Sequence, residues 1–487
     1  MALFGDRRLE KKRAQLESAI SASQSVVVQQ LARSWAEQMS YYRLLHHPAL
    51  TVEALLGAQA QESGLASYAG HLLALTDTTE LDLTSRRTRL ARTGDTGPIG
   101  NGRNWGLLVQ PVLCLRAEPA GAAPSGEPVL GVGCLDYWHR EAAAGNRFVR
   151  QARRLPLAQR ESAKWARAGA AIRAQAPAAT RITLVADRES DDYATLAQWQ
   201  AQGLDFLLRS RCDRRLMPAS PDAAALPDAA ASPDAAASPS LDKLWARLPT
   251  APLLGELVVE VACRQATAPH PTRAARLELR AAPVVLRRPN TAPGQVPELP
   301  LWGVWVTEVE PPADEPPIMW RLLTTHAIGD EAQARQVVSW YARRWWIEQL
   351  FRVLKQQGLR IEDTQLADGE AIMRLLALAL PTAVRVMQLA CARHHEAPVP
   401  EAVLPLAARP LAQQWVQRLE GKTAAQRNPY PSYSWAWLAW LLGRLGGWKG
   451  LPSHGPPGVI SLCRGDARFW QLWRDILLLQ PELVYKP

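Results

Sequence analysis

Ile182-Thr183-Leu184-Val185-Ala186-Asp187 is a short apolar run closed by a single carboxylate. Its length and β-branched content predict a buried strand, and its last residue stands at the strand's carboxyl end. Leu72-Leu73-Ala74-Leu75, followed by Thr76-Asp77, repeats the pattern about a hundred residues earlier. Between them lie two more strand-like runs, Leu107 to Leu115 and Val129 to Leu135, and a helical segment from near Glu161. After them come a helical stretch, Tyr193 to Gln202, and the run Phe206-Leu207-Leu208. Three strands, a helix, a strand, a helix and a strand predict a mixed α/β sheet. In such sheets a carboxylate at a strand's carboxyl end often faces a functional crevice, although each Asp taken singly is better explained as a turn residue.

On either side the pattern changes. The first seventy residues read as helical, with Arg7, Arg8, Lys11, Lys12 and Arg13 expected on a solvated basic face. Pro218 to Ser240 is a Pro-Asp-Ala-Ala tract of low complexity, expected to be a surface loop. Strand-like runs resume at Leu257 to Val261, Arg276 to Leu286, Val304 to Val309 and Trp320 to Leu323, so 213–318 reads as a β-rich insertion. A strong helix is predicted from Asp330 to about Gln357, and mostly helical sequence follows, with turns at Pro429-Tyr430-Pro431 and Gly446-Gly447. The apolar stretch Ala371 to Ala392 contains Arg374, Pro381 and Arg385, and is expected to be a buried helix pair rather than a membrane span.

Composition narrows the function. The chain has 487 residues, enough for about three domains at roughly 150 residues each. With 47% hydrophobic and 21% charged residues it is not a disordered protein. A net charge of +10 points toward a polyanion, nucleic acid first. The six cysteines are scattered without a C-x-x-C pair, which argues against zinc ribbons and thioredoxin-type sites and fits a reducing compartment. The opening MALFGDRRLEKKR has no apolar core of signal-peptide length, so a cytoplasmic location is expected, with no membrane partner.

The segment from Tyr341 to Lys355 carries the chemistry. On one helix, with Tyr341 at zero, Glu348 falls near roughly −20°, Lys355 near −40°, Arg344 near −60° and Arg352 near 20°. One arc then holds a phenol, a carboxylate and three cations. Paired ions at i,i+4 would account for Glu348, Arg344 and Arg352 alone. They leave unexplained why two strands each end in a lone Asp. Asp77, Asp187 and Glu348 together make a metal-site hypothesis, since hard oxygens suit Mg²⁺ or Mn²⁺. Two such ions can hold the attacking and leaving oxygens of a phosphodiester in line.

The spacing Y-x2-R-x3-E-x6-K, here Tyr341, Arg344, Glu348 and Lys355, resembles the signature of bacterial DDE transposases of the insertion-sequence-four family. Leu75-Thr76-Asp77-Thr78-Thr79 and Val185-Ala186-Asp187-Arg188-Glu189-Ser190-Asp191 resemble the family's two acid motifs, with Glu161-Ser162-Ala163-Lys164-Trp165 between them. Gly5-Asp6-Arg7-Arg8, Tyr42-Arg43-Leu44-Leu45 and Arg444-Leu445-Gly446-Gly447 extend the likeness to both ends of the chain. The resemblance implies an α/β architecture with an RNase H-like (retroviral-integrase-like) catalytic core at 69–368, interrupted by the β-rich insertion. It implies a helical DNA-binding domain at 1–68 and a helical dimerisation domain at 369–487. It further implies Asp77, Asp187 and Glu348 as the catalytic, metal-binding triad for Mg²⁺ (or Mn²⁺), with two ions. DNA contacts are implied for Lys12, Arg43, Arg209, Trp320, Tyr341, Arg344, Arg352 and Lys355, Trp320 being placed to receive a flipped base. The activity implied is cut-and-paste transposition: binding of inverted terminal repeats, nicking, hairpin formation and strand transfer by a homodimer on double-stranded DNA. The alternatives are a catalytically silent DNA-binding dimer that regulates transposition, and a structure-specific nuclease on the same fold.

Overall fold

The computed structural model describes residues 6–100, 102–117, 128–141, 161–218, 242–262, 272–313, 315–355, 358–451 and 455–479. All of the Pro-Asp-Ala-Ala tract except Pro218 lies outside the described residues.

An eleven-stranded mixed sheet organises the described chain. β1 (His71–Thr76) pairs in parallel with β6 (Arg181–Ala186), which pairs in parallel with β7 (Asp205–Arg209). On its other edge β1 runs antiparallel to the long β4 (Asn104–Arg116), and β4 in turn carries β5 (Val129–Trp138). This mixed sheet is compatible with an RNase H-like core. The strand runs read from sequence all appear, with ends shifted by a few residues. The short strands β2 (Thr79–Asp82) and β3 (Gly97–Ile99) were not expected. Both pair with β4.

β2 continues β1 in the same register: Thr76 faces Val112 and Thr79 faces Val109 across β4. Asp77 and Thr78 therefore fall opposite Pro111 and Gln110. Proline has no N–H to give the ladder, so the pairing lapses where Asp77 sits. Gln110 steadies the joint by donating from Nε2 to Thr76 Oγ1 at 3.0 Å.

The β-rich segment does not build a separate layer. β11 (Met319–Thr324) pairs with β7, and β10 (Glu298–Glu308), β9 (Thr272–Arg287) and β8 (Leu253–Ala262) extend the same sheet outward. After β2 comes the single turn α5 (Arg87–Leu90), and before β8 the single turn α8 (Leu244–Arg247). Between them, helices α6 (Ala163–Gln175) and α7 (Tyr193–Ala201) cover one face around the fully buried Trp165 and Trp199. The described residues up to 70 are mainly helical, as α1 (Arg7–Ser23), α2 (Val28–Leu31), α3 (Trp35–Leu45) and α4 (Val52–Glu62). One member of the expected solvated basic face turns inward: Arg13 is buried and pairs with Glu17 and Glu62.

The expected helix pair at 371–392 is instead one helix, Gly369–Ala392, with Pro381 inside it. A proline cannot bond the carbonyl four residues back. That carbonyl, on Ala377, accepts instead from Gln59 Nε2 at 2.8 Å, so α4 satisfies what Pro381 leaves open. By length and composition this helix could cross a bilayer, but 78% of its most apolar window is buried inside the protein.

The amino ends of β1 and β6 are closed by a polar chain. Arg181 donates to His326 Nδ1 at 2.9 Å, His326 Nε2 meets Thr183 Oγ1 at 2.8 Å, and Thr183 Oγ1 meets His71 Nε2 at 2.7 Å. Because Arg181 can only donate, His326 must carry its proton on Nε2 and donate it to Thr183 Oγ1, which is also bonded to His71. The ring of Trp340 packs on both imidazoles.

Candidate active site at the carboxyl ends of β1 and β6

Leu75 is paired with Val185 across the parallel β1–β6 ladder. Two residues on, Asp77 and Asp187 leave adjacent strands side by side. Neighbouring strands lie about 4.8 Å apart, so the two carboxylates share one small volume. Local backbone groups orient each of them. Asp77 Oδ1 accepts the Thr78 N–H at 2.8 Å, and Asp187 Oδ1 accepts the Glu189 N–H at 2.7 Å, capping the turn Arg188–Ser190.

The expected single helix from Asp330 to Gln357 is interrupted. α9 (Glu331–Ala342) ends and α10 (Trp345–Lys355) begins across Arg343 and Arg344. There the backbone tightens to i→i+3 bonds, from Arg344 N to Tyr341 O and from Ile347 N to Arg344 O. The wheel drawn through Tyr341 therefore spans a joint. Tyr341 is buried at the end of α9 rather than displayed on the polar arc, with its ring edge-on to Trp320 at 5.3 Å. The joint lets Arg344 reach across the site. Its guanidinium bonds Asp77 Oδ2 at 3.0 Å and Glu348 Oε1 at 2.7 Å. The structure thus brings Asp77, Asp187 and Glu348 to one locality, with Arg344 as the link.

The electrostatics follow from burial and crowding. Burial, and after it the charge of Asp187, pushes the Asp77 carboxyl up to about 6, against the pull of the Thr78 N–H and Arg344. Asp187 is raised as well, by burial first and by the Glu189 charge, while the Glu189 N–H, Arg344 and Lys164 oppose the rise. Protons are held where negative charge is undercompensated. Hard oxygen donors in such a setting fit a divalent cation. As placed, Glu348 is engaged by Arg344, and no three His, Cys, Asp or Glu side chains among the described residues are gathered as a ready ligand set.

The other expected residues fall in different surroundings. Lys355 bonds the Glu80 carbonyl on β2 and pairs with Glu362 at 3.1 Å. Arg352 is exposed, over the Trp345 ring. Arg209, at the end of β7, donates to the Met319 carbonyl at 3.0 Å. Lys12 on α1 lies over the Tyr41 ring, and Arg43 is exposed on α3.

Beside Asp187 opens a polar cavity of about 360 Å³, lined in part by Arg188, Arg209, Arg211, Arg321 and Trp245. Sequence reading missed most of this wall. Arg321 is stacked between the rings of Trp245, at 4.4 Å, and Trp305, at 5.0 Å. Asp191, whose side chain is fully buried, fixes the far rim by accepting from the N–H groups of Arg211 and Cys212 and pairing with Arg214. Its place four residues after Asp187 was a usable signal. Lys164 was also missed as a cation near Asp187; it is buried against the rings of Trp138 and Trp165 and pairs with Glu189 at 3.7 Å.

Residues 165–383 match the family model for a transposase DDE domain. Over that span the chain is similar to transposase DDE domains. The matched span includes Asp187, Arg209, Trp320, Tyr341, Arg344, Glu348, Arg352 and Lys355, and starts after Asp77. The match supports a transposase role in DNA transposition and recombination, with DNA as the partner and nuclease-type chemistry. Domains of this kind typically use divalent metals.

Proposed function

We propose that this chain is a cut-and-paste transposase whose metal-binding triad is Asp77, Asp187 and Glu348. The in-register meeting of Asp77 and Asp187 at the carboxyl ends of β1 and β6 carries the reading. The two aspartates would hold Mg²⁺, or Mn²⁺ in its place, with Glu348 joining from α10. Two bound ions would supply an activated water and neutralise charge on the phosphodiester oxygens. Arg344 positions Glu348 against Asp77 and, with Arg209, Arg352 and Lys355, offers cations to the DNA backbone. Lys164 supplies positive charge beside Asp187 from a desolvated position. Trp320 presents an indole as a stacking surface for an unpaired base, and Tyr341 contacts the transposon end beside it. Lys12 and Arg43 contact DNA from the helical segment 1–68, and 369–487 supports pairing of two copies.

In this reading the protein binds inverted terminal repeats, nicks one strand, forms a hairpin and joins the freed end to target DNA. The insertion-sequence-four assignment belongs to the same proposal. Incubating the protein with the DNA flanking its own gene and Mg²⁺, then mapping the products, tests it. Nicked, hairpin and joined species are expected, and Asp187→Ala is expected to yield none. Cleavage by Asp187→Ala at the wild-type rate would refute the triad. Nicks without hairpin or joined products would point to a nuclease, and binding without cleavage to a regulatory dimer.

A further inference from the structure

We propose that Arg86, Arg89 and Arg92 form a seat for the phosphates of duplex DNA where it leaves the triad on the β2 side; this rests on the nucleic-acid reading above. The three arginines line an open cavity of about 610 Å³ just beyond β2. Arg89 and Arg92 are exposed and Arg86 is half-buried. Among the described residues none of the three has a carboxylate at ion-pair distance. The nearby acids are engaged elsewhere, Glu362 by Lys355 at 3.1 Å and Asp363 by Arg360 at 2.8 Å. Arg86 itself is tied down through the Glu362 carbonyl at 3.1 Å. Asp363 acts on Arg86 from beyond ion-pair distance while Arg89 opposes it. Guanidiniums gathered without paired carboxylates repel one another, and a polyanion relieves that repulsion.

Their position relative to the triad identifies the occupant. Glu348 and Lys355 are seven residues apart on α10, so they share a face about 10 Å long. Lys355 reaches Glu362 and the β2 backbone at Glu80, and Glu362 reaches Arg86. One continuous line therefore runs from the triad along α10 and β2 to the arginines. The cavity of Arg209 and Arg321 lies on the opposite, β7–β11 side of Asp187. A polymer cut in its middle must leave the site in two directions, and each exit is lined with arginine.

The test is equilibrium binding of a duplex of about 30 base pairs and arbitrary sequence, in chelator, across a range of KCl concentrations. For Arg89→Gln/Arg92→Gln, the slope of log affinity against log salt should be smaller than the wild-type slope by roughly two, one per lost phosphate contact. The thermal midpoint should not move. Arg418→Gln/Arg427→Gln, two exposed arginines in the C-terminal part of the chain, should keep the wild-type slope. An unchanged slope in the first pair overturns the proposal, and so does an equal loss in the second, which would mean that only net charge is read. The binding is measured in chelator, where no cleavage is expected, so failure of the wild type to cleave when Mg²⁺ is supplied would sink the transposase reading without touching this result.

Discussion

The two ends of one strand pair, β1 and β6, are built on opposite principles. At the amino end the polar groups answer one another: Arg181, His326, Thr183 and His71 form one hydrogen-bonded chain, and Arg181 also pairs with Asp205 at 2.7 Å. At the carboxyl end two aspartates are crowded together, and Arg344, shared with Glu348, is the cation bonded to Asp77. The first arrangement is what a fold uses to close a sheet. The second leaves charge unsatisfied, a condition that stabilises nothing until a ligand arrives. Burial acts at both ends with opposite results. It drives the imidazoles down to about 4, keeping them neutral, and drives Asp77 up to about 6.

The contrast can be broken most severely at the carboxyl end. Asp77→Asn should lower Mg²⁺-dependent DNA cleavage by about a thousand-fold or more, because a neutral amide holds a metal poorly. The same change removes one of two like charges, so unfolding in denaturant should show equal or greater stability, by up to about 1 kcal/mol. Lost stability together with retained cleavage would reverse the assignment of the two ends.

A second test is pH. His71 and His326 are held below their ordinary value of 6.5 in the folded chain, so the unfolded chain binds more protons between about 6.5 and 4. Their contribution to stability is intact above that window and is lost as pH falls through it. Unfolding midpoints measured across the window should drop toward acid, and His326→Phe should flatten the slope. The smallest effect is expected at the hub hydroxyl. Thr183→Val leaves two buried ring nitrogens without their partner and should cost about 1–3 kcal/mol in stability, read by denaturant unfolding. Cleavage per folded molecule should stay at the wild-type level.

The sequence was most legible where one chemical rule acts alone. Ile182 to Ala186 and Leu72 to Leu75 are strands because apolar runs of that length have few alternatives. Their closing aspartates meet because the strands are parallel neighbours, which pattern alone could not establish. Joints were hidden. The break at Arg343–Arg344 replaces one helix by two, and there Arg344 bonds Asp77, far away in sequence, as well as Glu348 one turn ahead. Pro381 promised a break that did not occur, because Gln59 takes the freed carbonyl from another helix. The Arg321 stack was invisible for the same reason, since Trp245 and Trp305 lie on different elements. Local propensity cannot register a partner that arrives through tertiary packing.

The shared register of β1 and β2 along β4 makes this stretch unforgiving of changes in length. One codon added or deleted between His71 and Thr76 would turn every later side chain to the opposite face. Asp77 would then point away from Asp187, and the misdirection would carry on through β2 to the arginines beyond it. Natural variants of this gene should therefore show point changes along 71–82 but no in-frame indels there.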